Sequence, residues 1–130
     1  MYNGIVERDE PKPLRWIGSS RDDLRCFPTE VRREIGFALY AGQMGETDPA
    51  AKPMKGFGGA SVVEIVAPFF GNTWRTVYTV RFHGVVYVLH AFQKKSKSGV
   101  ATPKSEIRLI ERRLAIAIQD YKDRQRQNEN

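Results

Sequence analysis

The chain is poor in sulfur and imidazole: its 130 residues hold one cysteine, Cys26, and two histidines, His83 and His90. A lone cysteine cannot close an internal disulfide, so a reducing compartment, the cytoplasm, is expected. Cys26 falls on the apolar side of a helical pattern, where a buried thiol is expected rather than a nucleophile. The histidines are seven residues apart with no second cysteine beside them, which suits no metal centre. No apolar run approaches the ~20 residues that span a bilayer, and the amino end, Met1 to Pro13, is too charged for a secretory leader. Acidic residues are scarce in the second half. Residues 66–130 hold 5 Asp/Glu against 12 Lys/Arg, whereas residues 1–65 hold 10 against 9. That scarcity argues against paired-carboxylate hydrolysis in the basic half. It also places the net charge of +6 in one half, which points to a polyanionic partner, nucleic acid ahead of acidic protein.

The length fits one domain over residues 1–130, with a loose lead-in at 1–12 and a polar tail at 122–130 that is expected to fray. Leu14 to Gly18 reads as a first strand. Ser19 or Ser20 caps a helix with Asp22 and Asp23 in its first turn, and Pro28 interrupts or restarts it. Leu24, Phe27, Val31, Ile35 and Leu39 recur at three- and four-residue spacing and form one apolar face. Arg25, Arg32 and Arg33 fall on the polar side, and Gly42 and Gly45 end the helix. A Pro/Gly-rich connection from Gly45 to Gly59 contains Lys52-Pro-Met-Lys55-Gly-Phe-Gly-Gly. Glycines beside lysines can cradle phosphate through backbone N–H groups. The run matches neither a Walker loop nor a dinucleotide fingerprint, so nucleotide hydrolysis has no support.

Three strands follow, at Ser61 to Ala67, Thr73 to Phe82 and Val85 to Phe92, with His83-Gly84 as a two-residue hairpin turn. That register opposes Arg75 to Phe92, Val77 to His90 and Arg81 to Val86. One face then collects Arg75, Val77, Thr79, Arg81, Val86, Val88, His90, Phe92 and Lys94. The other collects Trp74, Tyr78, Val80, Phe82, Tyr87 and Leu89 as a core face. A last helix begins at Thr102-Pro103 with Glu106 just inside. Its apolar stripe is Ile107, Ile110, Leu114, Ile118 and Tyr121, with Arg108, Arg112 and Arg113 largely off it. The order β-α-β-β-β-α defines an α+β fold, an antiparallel sheet of about four strands with helices packed on it.

Cleavage of RNA without a metal fits these residues better than other chemistry. The 2′-hydroxyl attacks its neighbouring phosphate, so the site needs a base, cations for the developing charge and an acid for the leaving oxygen. Arg75, Lys94 and Lys55 could supply the charge, and His90, as an imidazole, could serve as base or acid. A lysine serves as base if its pKa is lowered, which clustered like charges promote. Phe92 offers a ring on which an unpaired base can stack. Each has a plainer alternative: Phe92 as core, His90 as a hydrogen-bonded strand residue, Lys95 and Lys97 as a solvated loop.

The wording of several stretches resembles the phage-derived, HigB-type branch of the RelE toxin superfamily. The resemblance rests on Phe27-Pro28, Ala38-Leu39 through Gln43-Met-Gly45, Ala51-Lys52-Pro-Met-Lys55-Gly and Tyr78-Thr-Val80. Its most specific part is Leu89-His90-Ala-Phe92-Gln-Lys94-Lys95-Ser with Thr102-Pro103-Lys104. It implies a sheet mixed at one edge and a small, basic endoribonuclease that needs no metal or cofactor. The concave sheet face would bind mRNA on the ribosome, and a cognate antitoxin, often a helix-turn-helix protein, would silence the toxin. By position, Lys52 and Lys55 match the family's basic residues before the second strand, Arg75 the arginine of the central strand, and Lys94 and Lys95 the basic end of the last strand. Together with the residues read above, catalytic roles are expected among Lys55, Arg75, His90 and Lys94, and RNA contacts from Lys52, Arg81, Phe92, Lys95, Lys97 and Lys104. Many such toxins carry a tyrosine shortly after the last strand. Ser96 to Val100 has none, so His90 or Lys94 would have to act as the acid. Two other readings stay open: a non-catalytic nucleic-acid-binding protein of the same fold, and a phage protein that inhibits a host protein by contact.

Overall fold

The apolar runs in the middle of the chain pair into one sheet. The computed structural model describes residues 10–94 and 102–129. Its strands are β1 (Leu14–Trp16), β2 (Ala51–Pro53), β3 (Val62–Phe69), β4 (Asn72–Thr79) and β5 (Val86–Lys94), in the spatial order β1-β5-β4-β3-β2. β1 runs parallel to β5 and every other pair is antiparallel, so the sheet is mixed at one edge. Helices α1 (Ser20–Arg25), α2 (Thr29–Gln43) and α3 (Lys104–Glu129) complete the α+β fold. The sheet has five strands rather than four. The extra one, β2, lies inside the Gly/Pro-rich connection and is too short to show a two-residue period.

Pro28 splits the first helical pattern. Its extended backbone (φ −56°, ψ 149°) stands at the N-cap of α2, and Cys26 caps the carboxyl end of α1. At that break Cys26 is exposed, against the expectation of a buried thiol. Ser19 is the N-cap of α1, but its hydroxyl donates to the Asp23 carboxylate (2.7 Å) rather than accepting a backbone N–H. Ser20 is buried and donates to the Val88 carbonyl (3.1 Å), fastening α1 to β5. α2 ends in a Schellman motif. Gly45, at φ +83°, donates to the Gly42 carbonyl, and Glu46 donates to Ala41. Gly42 is therefore inside the last turn rather than beyond it. The lead-in is tied down at Lys12, whose N–H reaches the Gln43 carbonyl while Gln43 Nε2 donates back to the Lys12 carbonyl (2.6 Å).

The two faces of the sheet carry two cores. Leu24, Phe27, Val31, Ile35 and Leu39 pack on Val63, Ile65, Ala67, Tyr78, Val86 and Val88. On the opposite face Ile107, Ile110, Leu114, Ala117 and Tyr121 of α3 pack on Val62, Val77, Tyr87, Leu89 and Phe92. Ala117 takes the buried place expected of Ile118, which is only partly covered. α3 continues to Glu129, through the stretch expected as a tail, with Asp120–Arg124 (2.9 Å) and Asp123–Arg126 (3.8 Å) pairs along it.

The β4–β5 hairpin begins in the expected register, with Arg75 opposite Phe92 and Val77 opposite His90. It then slips by one residue, so that Tyr78 pairs with Val88 and Thr79 with Tyr87; Leu89 is the extra residue of a β-bulge. A one-residue slip exchanges the faces beyond it. Val86 and Val88 accordingly join the α2-side core, and Tyr87 and Leu89 join the α3-side core, the reverse of the expected assignment. β4 ends at Thr79, whose hydroxyl donates to the Ser61 carbonyl and accepts the Arg81 N–H. The connection thus runs over residues 80–85 rather than through a two-residue His83-Gly84 turn, and Arg81 does not oppose Val86.

Candidate nucleic-acid interface

Cross-strand pairing sets the expected site residues in rows on the α3 side of the sheet. Lys52, Glu64, Val77 and His90 form one row across β2, β3, β4 and β5; Val66, Arg75 and Phe92 form the next; Pro68, Thr73 and Lys94 form the last. Arg75 and Lys94 come together at the open end of the sheet. The Arg75 side chain is 11% exposed, and its Nη1 donates to Glu64 Oε2 at 3.0 Å. Thr102, just before α3, donates its hydroxyl to the same carboxylate oxygen (3.0 Å) and receives a longer bond from Arg75 Nη1 (3.4 Å). Among the described residues the buried Nε–H of Arg75 has no partner. A guanidinium carries five donors in a rigid fork that matches phosphate oxygens, so this arginine retains donor capacity beyond its ion pair.

Lys94 is also buried, at 6% exposure. Burial lowers its pKa below the ordinary lysine value; the nearby Arg75 charge adds to that shift and Glu64 opposes it. The site therefore consists of two cations and one carboxylate, with a threonine hydroxyl bridging to the helix. Neither Glu64 nor Thr102 was anticipated. The signal for Glu64 was its position as the one charge inside Val62-Val-Glu-Ile-Val-Ala67. A charge in a strand buried on both faces needs a partner.

His90 and Phe92 lie on the same face but underneath α3. Phe92 is 8% exposed, belongs to the α3-side core and stacks on the His90 ring (4.8 Å between centroids, 19° between planes). Both nitrogens of His90 are engaged. Arg113 Nη1 approaches Nδ1 at 3.3 Å, and Nε2 lies 2.8 Å from Glu106 Oε1. An arginine N–H only donates, so Nδ1 accepts and Nε2 carries the proton that faces Glu106. Arg113 also donates to the Leu89 carbonyl (3.0 Å) and to Ser19 Oγ (3.1 Å). Its guanidinium lies so close over Gly18 (φ +58°) that a Cβ there would sit 2.9 Å from it. Arg113 was expected largely off the packed face. It is instead the cation that joins α3, the start of α1 and the bulged strand. An arginine can bury its stem and still satisfy its fork with a carbonyl, a hydroxyl and an imidazole.

The remaining basic residues are dispersed. Lys52, Lys55, Arg81 and Lys104 are exposed. Lys52 shares the Glu64 row and Lys104 opens α3 two residues after Thr102. Lys55 follows β2 at the level of Val62, and Arg81 follows Thr79, so both lie at the end of the sheet away from Lys94. Lys95 and Lys97 lie outside the described residues. Among the described residues no three His, Cys, Asp or Glu side chains gather to hold a metal ion, and no helix is long and apolar enough to cross a membrane.

The fold and this face define a small α+β domain whose sheet presents a paired arginine and lysine beside its last helix. Residues 22–115 match the family described as phage derived protein Gp49-like, and the chain belongs to that family. This agrees with the phage-derived branch that its wording resembled. No curated protein matches the chain. Two solved structures are similar to it in part. One is a mutant of E. coli toxin RelE in the free state, with 18% identity and a TM-score of 0.49, covering 63% of this chain and 82% of that one. The other is the toxin–antitoxin complex RelBE2 from Mycobacterium tuberculosis, with 18% identity and a TM-score of 0.44, covering 66% of this chain and 94% of that one.

Proposed function

We propose that this Gp49-like protein is a RelE/HigB-type toxin. On this reading it is a metal-independent mRNA endoribonuclease that acts with the ribosome in the cytoplasm, and a cognate helix-turn-helix antitoxin silences it. The observation that carries the reading is the Arg75–Lys94 pair: two cations on one sheet face, one with a donor that has no partner among the described residues and the other with a lowered pKa. A lysine so shifted is more readily deprotonated and can take up the 2′-hydroxyl proton as that oxygen bonds to phosphorus. Arg75 then balances the charge that develops on the phosphoryl oxygens. The bond from phosphorus to the 5′-oxygen breaks, and the lysine, now protonated, returns its proton to the departing oxygen. His90 is a positioning residue on this account, held between Arg113 and Glu106. Lys52 and Lys104 contact the RNA backbone on either side; Lys55 and Arg81 contact it further away.

The test is a map of new 5′ ends in cellular mRNA after brief induction, with wild type beside an Arg75→Ala, Lys94→Ala double mutant. Codon-phased cuts that vanish in the mutant are the expected result. Cuts that persist would move the site elsewhere, and growth arrest without cuts would favour contact inhibition of a host protein. The second reading is a non-catalytic nucleic-acid-binding protein of the same fold. It is favoured by Glu64 already neutralising Arg75 and by the burial of Phe92 and His90. It predicts binding that weakens steeply with salt and RNA that stays intact.

A further inference from the structure

α3 carries seven Lys/Arg and five Asp/Glu, and they are sorted by face rather than scattered. Glu106 and Asp120 turn toward the sheet, to His90 Nε2 (2.8 Å) and the Tyr87 hydroxyl (2.5 Å). Arg113 and Arg124 stand on that side with them. On the outward side Lys104, Arg108 and Arg112 follow one another at four-residue spacing, as do Lys122 and Arg126. Ala115 and Gln119 continue the same stripe between the two groups, since residues three and four apart are neighbours on a helix. Every position of the stripe is exposed and none is acidic; Glu111 and Glu129 fall on one flank. Among the described residues Lys104, Arg108, Arg112 and Lys122 have no hydrogen-bond or ion-pair partner. Arg126 has the exposed Asp123 at 3.8 Å, a pair worth little in water. The helices on the other side of the sheet show no such excess: α1 and α2 hold four arginines and four acids.

The stripe is about 33 Å long at 1.5 Å per residue, with a cation-free middle of about 15 Å from Arg112 to Lys122. A long row of exposed, unpaired cations attracts a long polyanion. The row includes no aromatic ring, so the bases of a single strand would find nothing to stack on. It includes no large apolar anchor, which a protein partner would need at the centre of its interface; Ile116 lies beside it rather than on it. What it fits is a backbone whose bases are already paired. The two cation groups stand too far apart for the edges of the ~6 Å minor groove of DNA. α3 is seated on the sheet as far as Tyr121, so it cannot sink into a major groove about 8.5 Å deep. The minor groove of an RNA duplex is wide and shallow and displays 2′-hydroxyls between its two backbones. Ala115 and Gln119 lie where that groove would pass. Gln119 gives its Nε2 to Asp123 (2.9 Å), and its amide oxygen can accept a 2′-hydroxyl proton.

We propose that the outward stripe of α3 binds double-helical RNA, with Arg108 and Arg112 on one backbone and Lys122 and Arg126 on the other. This goes beyond the reading above and requires no cleavage at the Arg75–Lys94 site. The test is the affinity of the whole protein for a short blunt RNA duplex across a series of salt concentrations. A DNA duplex of the same length and poly-glutamate serve as competing probes. The Arg108→Gln, Arg112→Gln, Lys122→Gln triple variant should melt with wild type, because none of the three has a partner to lose. Its log–log salt slope should be smaller by roughly 2–3, at about 0.9 per phosphate, and its affinity about a hundredfold lower at ~0.1 M salt. Arg25→Gln, Arg32→Gln, Arg33→Gln, which removes the same charge from α1 and α2, should leave duplex binding unchanged. Equal losses in the two triple variants would reduce the effect to net charge and overturn the proposal. So would a wild type that binds the DNA duplex or poly-glutamate as tightly as the RNA duplex, or that binds no duplex at all. Each of these failures would leave the mRNA cleavage map, and the reading that rests on it, untouched.

Discussion

Glu64→Gln should make the protein less stable and a better binder of polyanions at once. The substitution keeps the side-chain volume and an acceptor oxygen for Thr102, but removes the charge that balances Arg75 at 3.0 Å. Breaking a buried pair by deleting one partner costs about 3–5 kcal/mol, because the other charge is left uncompensated. Here the Arg75 side chain keeps 11% exposure and the amide still accepts one hydrogen bond, so about 2–3 kcal/mol is expected. Lys94 adds to the cost, since Glu64 favours its charged form against burial and Arg75. With a urea slope of about 1–3 kcal/mol per molar, the unfolding midpoint should fall by roughly 1 M. Adding Arg75→Met should recover much of the loss, because the uncompensated charge is then gone. In the folded protein the released guanidinium should add about one phosphate contact, steepening the salt dependence of single-strand binding by ~0.7 in log–log slope. The reasoning is refuted if Glu64→Gln unfolds at the wild-type midpoint, or if its cost and that of Arg75→Met simply add.

Two further outcomes follow from packing and charge elsewhere. Gly42→Ala places a methyl group 2.9 Å from the Tyr78 ring, so α2 must shift off the sheet. Overpacking costs about 1–3 kcal/mol against a helix gain of up to about 1, and a variant melting at or above the wild-type temperature would contradict it. Asp120 accepts the Tyr87 hydroxyl at 2.5 Å and the Arg124 Nε–H at 2.9 Å. The Tyr87 bond, and after it Arg124, hold its pKa below the ordinary value against the opposing effect of burial. A depressed carboxyl pKa stabilises the fold above the unfolded value of ~3.9, and the gain disappears as pH falls through the folded value. Asp120→Asn should therefore melt lower than wild type at pH 7, with the gap closing below about pH 4. With the carboxylate 34% exposed, solvent screening keeps the gap to at most about 1 kcal/mol. A gap that widens in acid would reverse the assignment.

Much of the fold was legible because helices and long strands announce themselves by period. The face of Leu24, Phe27, Val31, Ile35 and Leu39 is the buried face. The Arg75–Phe92 and Val77–His90 pairings, expected from a two-residue turn at His83-Gly84, are present although that turn is not, because the extra residue at Leu89 restores the count. What escaped has a common cause: it is decided by contacts between distant segments. β2 has three residues and exists because β3 offers it partners. Cys26 is exposed because Pro28 breaks the helix two residues later. Arg113 is drawn inward by a left-handed glycine, a carbonyl freed near the bulge and an imidazole, none near it in sequence. Of the candidate site, the Arg75–Lys94 juxtaposition was legible from strand parity. Its carboxylate and threonine were not, because Thr102 reaches Glu64 across 38 residues of chain.

The bulge at Leu89 acts as a change of reading frame. On the carboxyl side of it, β5 turns His90, Phe92 and Lys94 toward α3; on the amino side it turns Tyr87 the same way, although a regular strand would turn it toward α2. One inserted residue thus lets a single strand serve α3 along its whole length while Val86 and Val88 supply the opposite core. Deleting Leu89 would remove more than one side chain. It would restore regular alternation and force a choice between the hydroxyl contact of Tyr87 to Asp120 and the placing of Lys94 beside Arg75. Length in this strand is therefore under tighter control than composition: Val86 or Val88 can exchange for another apolar residue, but the number of residues between Tyr87 and Lys94 cannot change.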